Sequence, residues 1–184
     1  YYLPVGGALF RLALPLPLTL LQLRRGGRAG AEGLLLAVLL LTALMGPVRG
    51  PLLLFPYGLL SLWLGWSWCR GLSWWLSWAF GIVLGTGGFL VRILVLSLLV
   101  GENLWVLITR AGAGLLDRLV AVLQLPFSPD LLEIQVMALL LVVLQEVIYV
   151  LSLHALAYWI FPRLGSSIPS PPRLLHGLVA LDPL

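Results

Sequence analysis

Lysine is absent, cysteine occurs once, and only 10% of the 184 residues carry a formal charge. Each shortage excludes a class of protein. Without lysine no Walker-type Gly-x-x-x-x-Gly-Lys-Ser loop can form, so the chain holds no P-loop ATPase. Cys69 alone supports neither an internal disulfide nor a CxxC metal or redox motif. Gly-x-Ser-x-Gly and His-Glu-x-x-His do not occur, and no arrangement of side chains names a reaction. The expectation is a non-enzyme with no catalytic residues, no cofactor and no metal site. All eleven basic residues are Arg, and they punctuate apolar runs instead of forming a polar stripe. The net charge of +4 is therefore read as topology and not as affinity for nucleic acid.

What the chain has instead is apolar length. It is 61% hydrophobic with a mean hydropathy of +1.07, far above the globular norm of about half apolar residues. Residues 51–68 and 71–91 carry no formal charge, and 147–162 carry none besides His154. Each approaches the roughly 20 residues that a helix needs to cross a bilayer core. The expected fold is all-α, a polytopic transmembrane helical bundle whose main partner is the lipid bilayer.

Five spans are expected, at about 8–23, 30–45, 52–68, 74–100 and 131–161. Pro15 and Pro17 should bend the first, and the Gly and Pro content of 46–51 marks a turn. The chain opens on Tyr1-Tyr2-Leu3-Pro4 without Met or the order of a signal peptide, so an upstream piece, the rest of a helix, is expected. Asn103, Arg110, Asp117 and Gln124 recur every seven residues opposite a Leu-rich face, which makes 103–124 an amphipathic helix for an interface or the roof of a cavity. The helical domain is placed at 1–162 and a Pro-rich cytoplasmic tail at 163–184.

Alternate crossings put Arg24, Arg25, Arg28, Arg70, Arg163 and Arg173 on one side, expected to be cytoplasmic, against Arg11, Arg49, Arg110 and Arg118. Trp63, Trp66, Trp68, Trp74, Trp75 and Trp78 surround Arg70 and read as an aromatic anchor at the headgroups. Ser73, Ser77, Gly81 and Gly85, with Gly88 nearby, make one face of the fourth span smooth, suited first to packing inside the molecule and second to a subunit contact.

Arg92 and Glu146 are the ionisable residues deepest in long spans, where charge is costly and normally faces protein or water. Counted from Trp75 and from Pro162, they sit about 26 Å and about 24 Å from the same side, so an ion pair is expected to be within reach. Two readings stand side by side. Either the pair only neutralises both charges, or it belongs to a polar pocket with Gln145 and Tyr149, roofed by the amphipathic helix with Trp105 and Arg110. His154 reads first as a hydrogen-bonded packing residue and only second as a metal or pigment ligand.

Leu3-Pro4, Leu14-Pro15-Leu16-Pro17, Leu23-Arg24-Arg25-Gly26, Leu44-Met45-Gly46-Pro47, Pro56-Tyr57-Gly58-Leu59-Leu60 and Leu99-Val100-Gly101-Glu102-Asn103-Leu104-Trp105 resemble the YybS-like family of bacterial membrane proteins, the cyanobacterial members above all. The likeness covers most of the chain and rests on its loops. That family is similar in layout to the S components of energy-coupling-factor transporters, six-helix proteins that hold a ligand near the outer leaflet. The resemblance implies a first helix ending near Tyr1 and Tyr2. It also implies a separate transmembrane coupling subunit and ATPase module as partners, and residence in a bacterial inner or thylakoid membrane. The expected function is a solute-binding transporter subunit using Arg92, Glu146, Gln145, Tyr149, Trp105 and Arg110. The alternative is a non-catalytic structural or assembly subunit of a larger membrane complex, with the layout of the rod-shape protein MreD or a place beside a photosynthetic complex.

Overall fold

A computed structural model describes residues 14–123 and 130–172, apart from the side chains at 49 and 115–123. The described chain is helical, in the order α1 (Pro15–Arg25), α2 (Gly27–Met45), α3 (Arg49–Leu52), α4 (Leu59–Cys69), α5 (Trp74–Val100), α6 (Leu104–Leu123) and α7 (Leu131–Ile160). A π-helical turn at Leu54–Gly58 joins α3 to α4, and a 3-10 turn at Pro162–Leu164 follows α7.

Pro15 is the first residue of α1. The first turn is where a missing N–H costs nothing and where the fixed φ of proline is already helical. Residues 8–13 of the expected first span lie outside the described residues. Gly26 ends α1 at φ 88°, a conformation that side chains disfavour, and α2 starts at the next residue. The expected third span is broken. Phe55, which precedes Pro56, is extended at φ −114° and ψ 122°, as the clash with the proline ring demands.

Among the described residues, three helices are long and apolar enough to cross a membrane: Gly27–Met45, Trp74–Val100 and Leu131–Ile160. Three of the five expected spans are found in this way, while the described parts of the other two, α1 and α4 at 11 residues each, reach about 16 Å. These two short helices pack side by side. Thr19 donates to the carbonyl of Ser61 at 3.2 Å. The buried Gln22 is seated between Gly30 and Gly65, where an added Cβ would come within 3 Å of its side chain. Small and hydroxyl-bearing residues do this work in a bilayer, where apolar side chains gain little by leaving lipid.

The three long helices turn leucine outward. Leu36 and Leu44 of α2, Leu98 of α5 and Leu132 of α7 are 66%, 72%, 76% and 71% exposed. An aqueous protein does not tolerate so much contiguous apolar surface, whereas lipid solvates it.

The core sits at the end of the bundle that carries Arg24 and Arg70. Leu60, Leu64 and Trp68 of α4, Trp74 of α5 and Val150, Leu153, Ala157 and Phe161 around α7 fill it. The chain after α7 folds back onto this end. Arg24 donates to the Leu164 carbonyl and to Ser166 Oγ at 3.3 Å, Trp74 Nε1 donates to the Pro169 carbonyl at 2.7 Å, and Ile168 joins the core.

The tryptophan cluster divides by helical phase. Trp66 and Trp75 are exposed, and the Arg70 guanidinium lies 4.6 Å above the Trp66 ring, as an interfacial anchor would. Trp68 and Trp74 are buried and pack against His154, edge-on and tilted, at 5.2 and 5.1 Å between ring centres. Those two are core residues, not anchors, because neighbours on a helix differ by about 100° in direction.

Candidate functional site

The α5–α7 seam supplies the candidate charges, and α5 meets α7 along its small-residue face. The order of contacts makes the helices antiparallel: Trp74 against Tyr158 at 6.3 Å, Ser77 against His154 at 3.0 Å, Gly81 against Val150 and Gly85 against Glu146. Gly88, next on the same face, meets Pro56 of the broken segment. The smooth face is thus taken up inside the molecule, the first of the two uses expected for it.

A chain of hydrogen bonds crosses the Arg24 end of the seam. The fully buried His154 places Nδ1 2.9 Å from the Val150 carbonyl, which can only accept, so Nδ1 donates. Nε2 faces Ser77 Oγ at 3.0 Å, Ser77 Oγ lies 3.0 Å from Ser67 Oγ, and Ser67 reaches the Leu64 carbonyl at 2.9 Å. His154 is therefore a hydrogen-bonded packing residue joining three helices. Among the described residues no group of three or more His, Cys, Asp or Glu side chains is placed to hold a metal.

Glu146 and Arg92 are not brought together. Glu146 is 5% exposed. Its carboxylate lies against Gly85, with Oε2 enclosed and unpartnered among the described residues. Arg92 is half-buried and stands seven residues beyond Gly85 on nearly the same face, about 10 Å further along α5. The one ion pair among the described residues is Arg28–Glu32 at 2.8 Å. The expected equal depth failed because it assumed that Trp75 and Pro162 are level. Trp74 instead packs on His154 and Tyr158, so α7 runs on past the start of α5.

This separation gives a direct test. In a cycle of Arg92→Leu, Glu146→Leu and the double variant, the changes in unfolding free energy should add to within about 0.5 kcal/mol, as for sites with no shared partner. Chemical unfolding in detergent reads the cycle. A coupling energy above about 1 kcal/mol would restore the ion pair.

The other expected site residues scatter. Tyr149 stands one turn from Glu146 and edge-on to Tyr57 at 6.2 Å between ring centres. Gln145 and Arg110 are exposed. Trp105, half-buried, lines two adjoining open grooves at the opposite end from Arg24. The larger, about 490 Å³, runs between α5 and the start of α6 and includes Leu94, Ser97, Leu98, Glu102 and Asn103. The smaller, about 270 Å³, adds Gln135, Val136 and Leu139 of α7. Leu90 and Trp105 belong to both.

Local sequence builds this end. Gly101 closes α5 in the left-handed region at φ 79°, the usual use of glycine after a helix. Asn103 then caps α6 by accepting from the Val106 N–H at 3.2 Å. Ser97 Oγ accepts from the Leu104 N–H at 3.0 Å and donates to the Ile93 carbonyl at 2.8 Å, which fixes the angle between the helices. α6 packs on both α5 and α7. Of the expected polar stripe, the Asp117 side chain and Gln124 lie outside the described residues. Glu102 and Gln135 were missed as site residues. The available signal was a charge in a helix break beside tryptophan, and one amide on an otherwise apolar turn of a long helix.

The chain matches no curated protein and no solved structure. One family model matches residues 1–176, nearly the whole chain, under the description "Predicted membrane protein (DUF2232)", and the chain belongs to that family of integral membrane proteins.

Proposed function

We propose that this chain is a non-enzymatic, solute-binding subunit of a membrane transporter, S-component-like, with a separate coupling subunit and ATPase module supplying the energy. The pair of grooves around Trp105 carries the reading. Together they have the size and the mixture of apolar wall and few polar groups expected of a small-molecule site. They lie at the end away from the arginine-rich turn, which the positive-inside rule assigns to the cytoplasm, in a bacterial inner or thylakoid membrane. In this reading α6 is the gate, Trp105 and Glu102 line the site, and Arg92 and Glu146 stand beneath it in the multi-pass bundle.

The assembly-subunit reading draws on a different observation. The leucine face of α2 packs against nothing in the described chain, so a partner helix could cover it as well as lipid.

Mass spectrometry of the protein purified in lipid nanodiscs separates the two. A small molecule should be released on denaturation of the wild type. Trp105→Ala should retain it roughly ten- to a hundredfold less well, the effect of losing about 1.5–3 kcal/mol of apolar contact. A wild type that releases no molecule whose retention depends on Trp105 would leave the assembly reading standing.

A further inference from the structure

The groove around Trp105 is walled by exposed apolar side chains of two helices that are long and apolar enough to span a bilayer. Leu94 and Leu98 of α5 and Val136 of α7 are 59%, 76% and 51% exposed. The groove therefore opens sideways into a leaflet as well as towards its surface. A ligand filling it meets hydrocarbon along one flank, which favours an amphiphile over a fully water-soluble solute.

The polar groups define the other half of the ligand. Ser97 and Asn103 are committed to helix ends. Glu102 has no partner among the described residues, and it is the one formal charge that lines either groove. Trp105, three residues on, lines the same groove. A groove lined by both a carboxylate and an indole is complementary to an ammonium group, by Coulomb attraction and by the cation–π interaction. The Trp105 indole N–H and the Gln135 amide, also without partners among the described residues, remain as donors for ester or phosphate oxygens at the level where an acyl chain begins.

We infer that the adjoining grooves around Trp105 hold a leaflet lipid with an ammonium head group, the head against Glu102 and Trp105 and the chain along Leu94, Leu98, Val136 and Leu139. The inference rests on the solute-binding reading of the same groove and names the class of its ligand.

Native mass spectrometry in detergent tests it with two lipids of identical chains, dioleoyl-phosphatidylethanolamine and dioleoyl-phosphatidylglycerol. The wild type should retain the ethanolamine lipid at least tenfold better. Glu102→Gln should abolish that preference while leaving the fold intact by circular dichroism, and Trp105→Ala should lower retention of both lipids. Equal retention that neither substitution changes is annular lipid only, and it overturns the inference. If the nanodisc preparation then still releases a water-soluble molecule lost in Trp105→Ala, the solute-binding reading survives alone. If it releases none, both fall.

Discussion

Gly88→Leu should be severely damaging, lowering stability in detergent by about 3 kcal/mol or more. A Cβ at this position would stand 2.7 Å from Pro56 Cα and 2.8 Å from Pro56 Cβ. The obstacle is backbone in a kinked segment, which cannot rotate aside as a side chain can. Overpacking of this kind costs about 1–3 kcal/mol for a modest excess of volume, and leucine exceeds a modest excess. Two companions give the scale. At Gly85 the added Cβ would run into the Glu146 carboxylate, the far end of a flexible side chain, so Gly85→Ala should cost less than Gly88→Ala. At Gly87 nothing lies within 4 Å, and Gly87→Ala should be neutral or stabilising by up to about 1 kcal/mol through helix propensity. Thermal unfolding followed by circular dichroism ranks the set. Equal melting of Gly87→Ala and Gly88→Leu would show that α5 does not rest on the Pro56 kink.

His154→Ala should also be strongly destabilising, at about 2–5 kcal/mol. The ring is fully buried between Trp68 and Trp74 and bonded to both Val150 and Ser77. Its removal opens a cavity in the aromatic core and breaks the bond to Ser77, whose hydroxyl keeps Ser67 Oγ as its remaining partner, a further cost of about 0.5–1.5 kcal/mol. The second part is separable. In His154→Ala the Ser77–His154 bond is already gone and a further Ser77→Ala cannot break it again, so the double variant should be at least about 0.5 kcal/mol more stable than the sum of the single changes implies. Strict additivity in the same unfolding measurement would mean that the Ser77–His154 bond contributes nothing.

These two sites mark how differently the sequence exposes its own packing. The periodic small residues at 73, 77, 81 and 85 announce a close helix contact because only missing side chains permit one. Their partner is not written beside them. Glu146, Val150 and His154 occupy that face because the helices settle where bulky and small residues interlock, and no local pattern specifies that register. The misplaced Arg92–Glu146 pair has the same origin. Heights counted from an assumed membrane boundary are wrong by whatever distance one helix runs past the other, and here that distance is about 10 Å. The tryptophans fail for a related reason, since composition marks an aromatic belt but rotational phase decides which rings face lipid and which face His154.

The sequence by itself determined the medium and the class of fold. With few charges and long apolar runs, the chain must satisfy its backbone inside helices surrounded by lipid, and the positions of Gly, Pro and Asn set where those helices stop. The break at Pro56, the start of α1 at Pro15 and the cap at Asn103 are all local chemistry. The tertiary structure alone decided that α1 and α4 are half-length helices buried against each other, that Glu146 rests on Gly85 away from Arg92, and that a groove gathers around Trp105. Hydrophobic burial into lipid does not discriminate one apolar face from another. Which faces meet is settled by steric fit and a few buried hydrogen bonds between residues far apart in the chain.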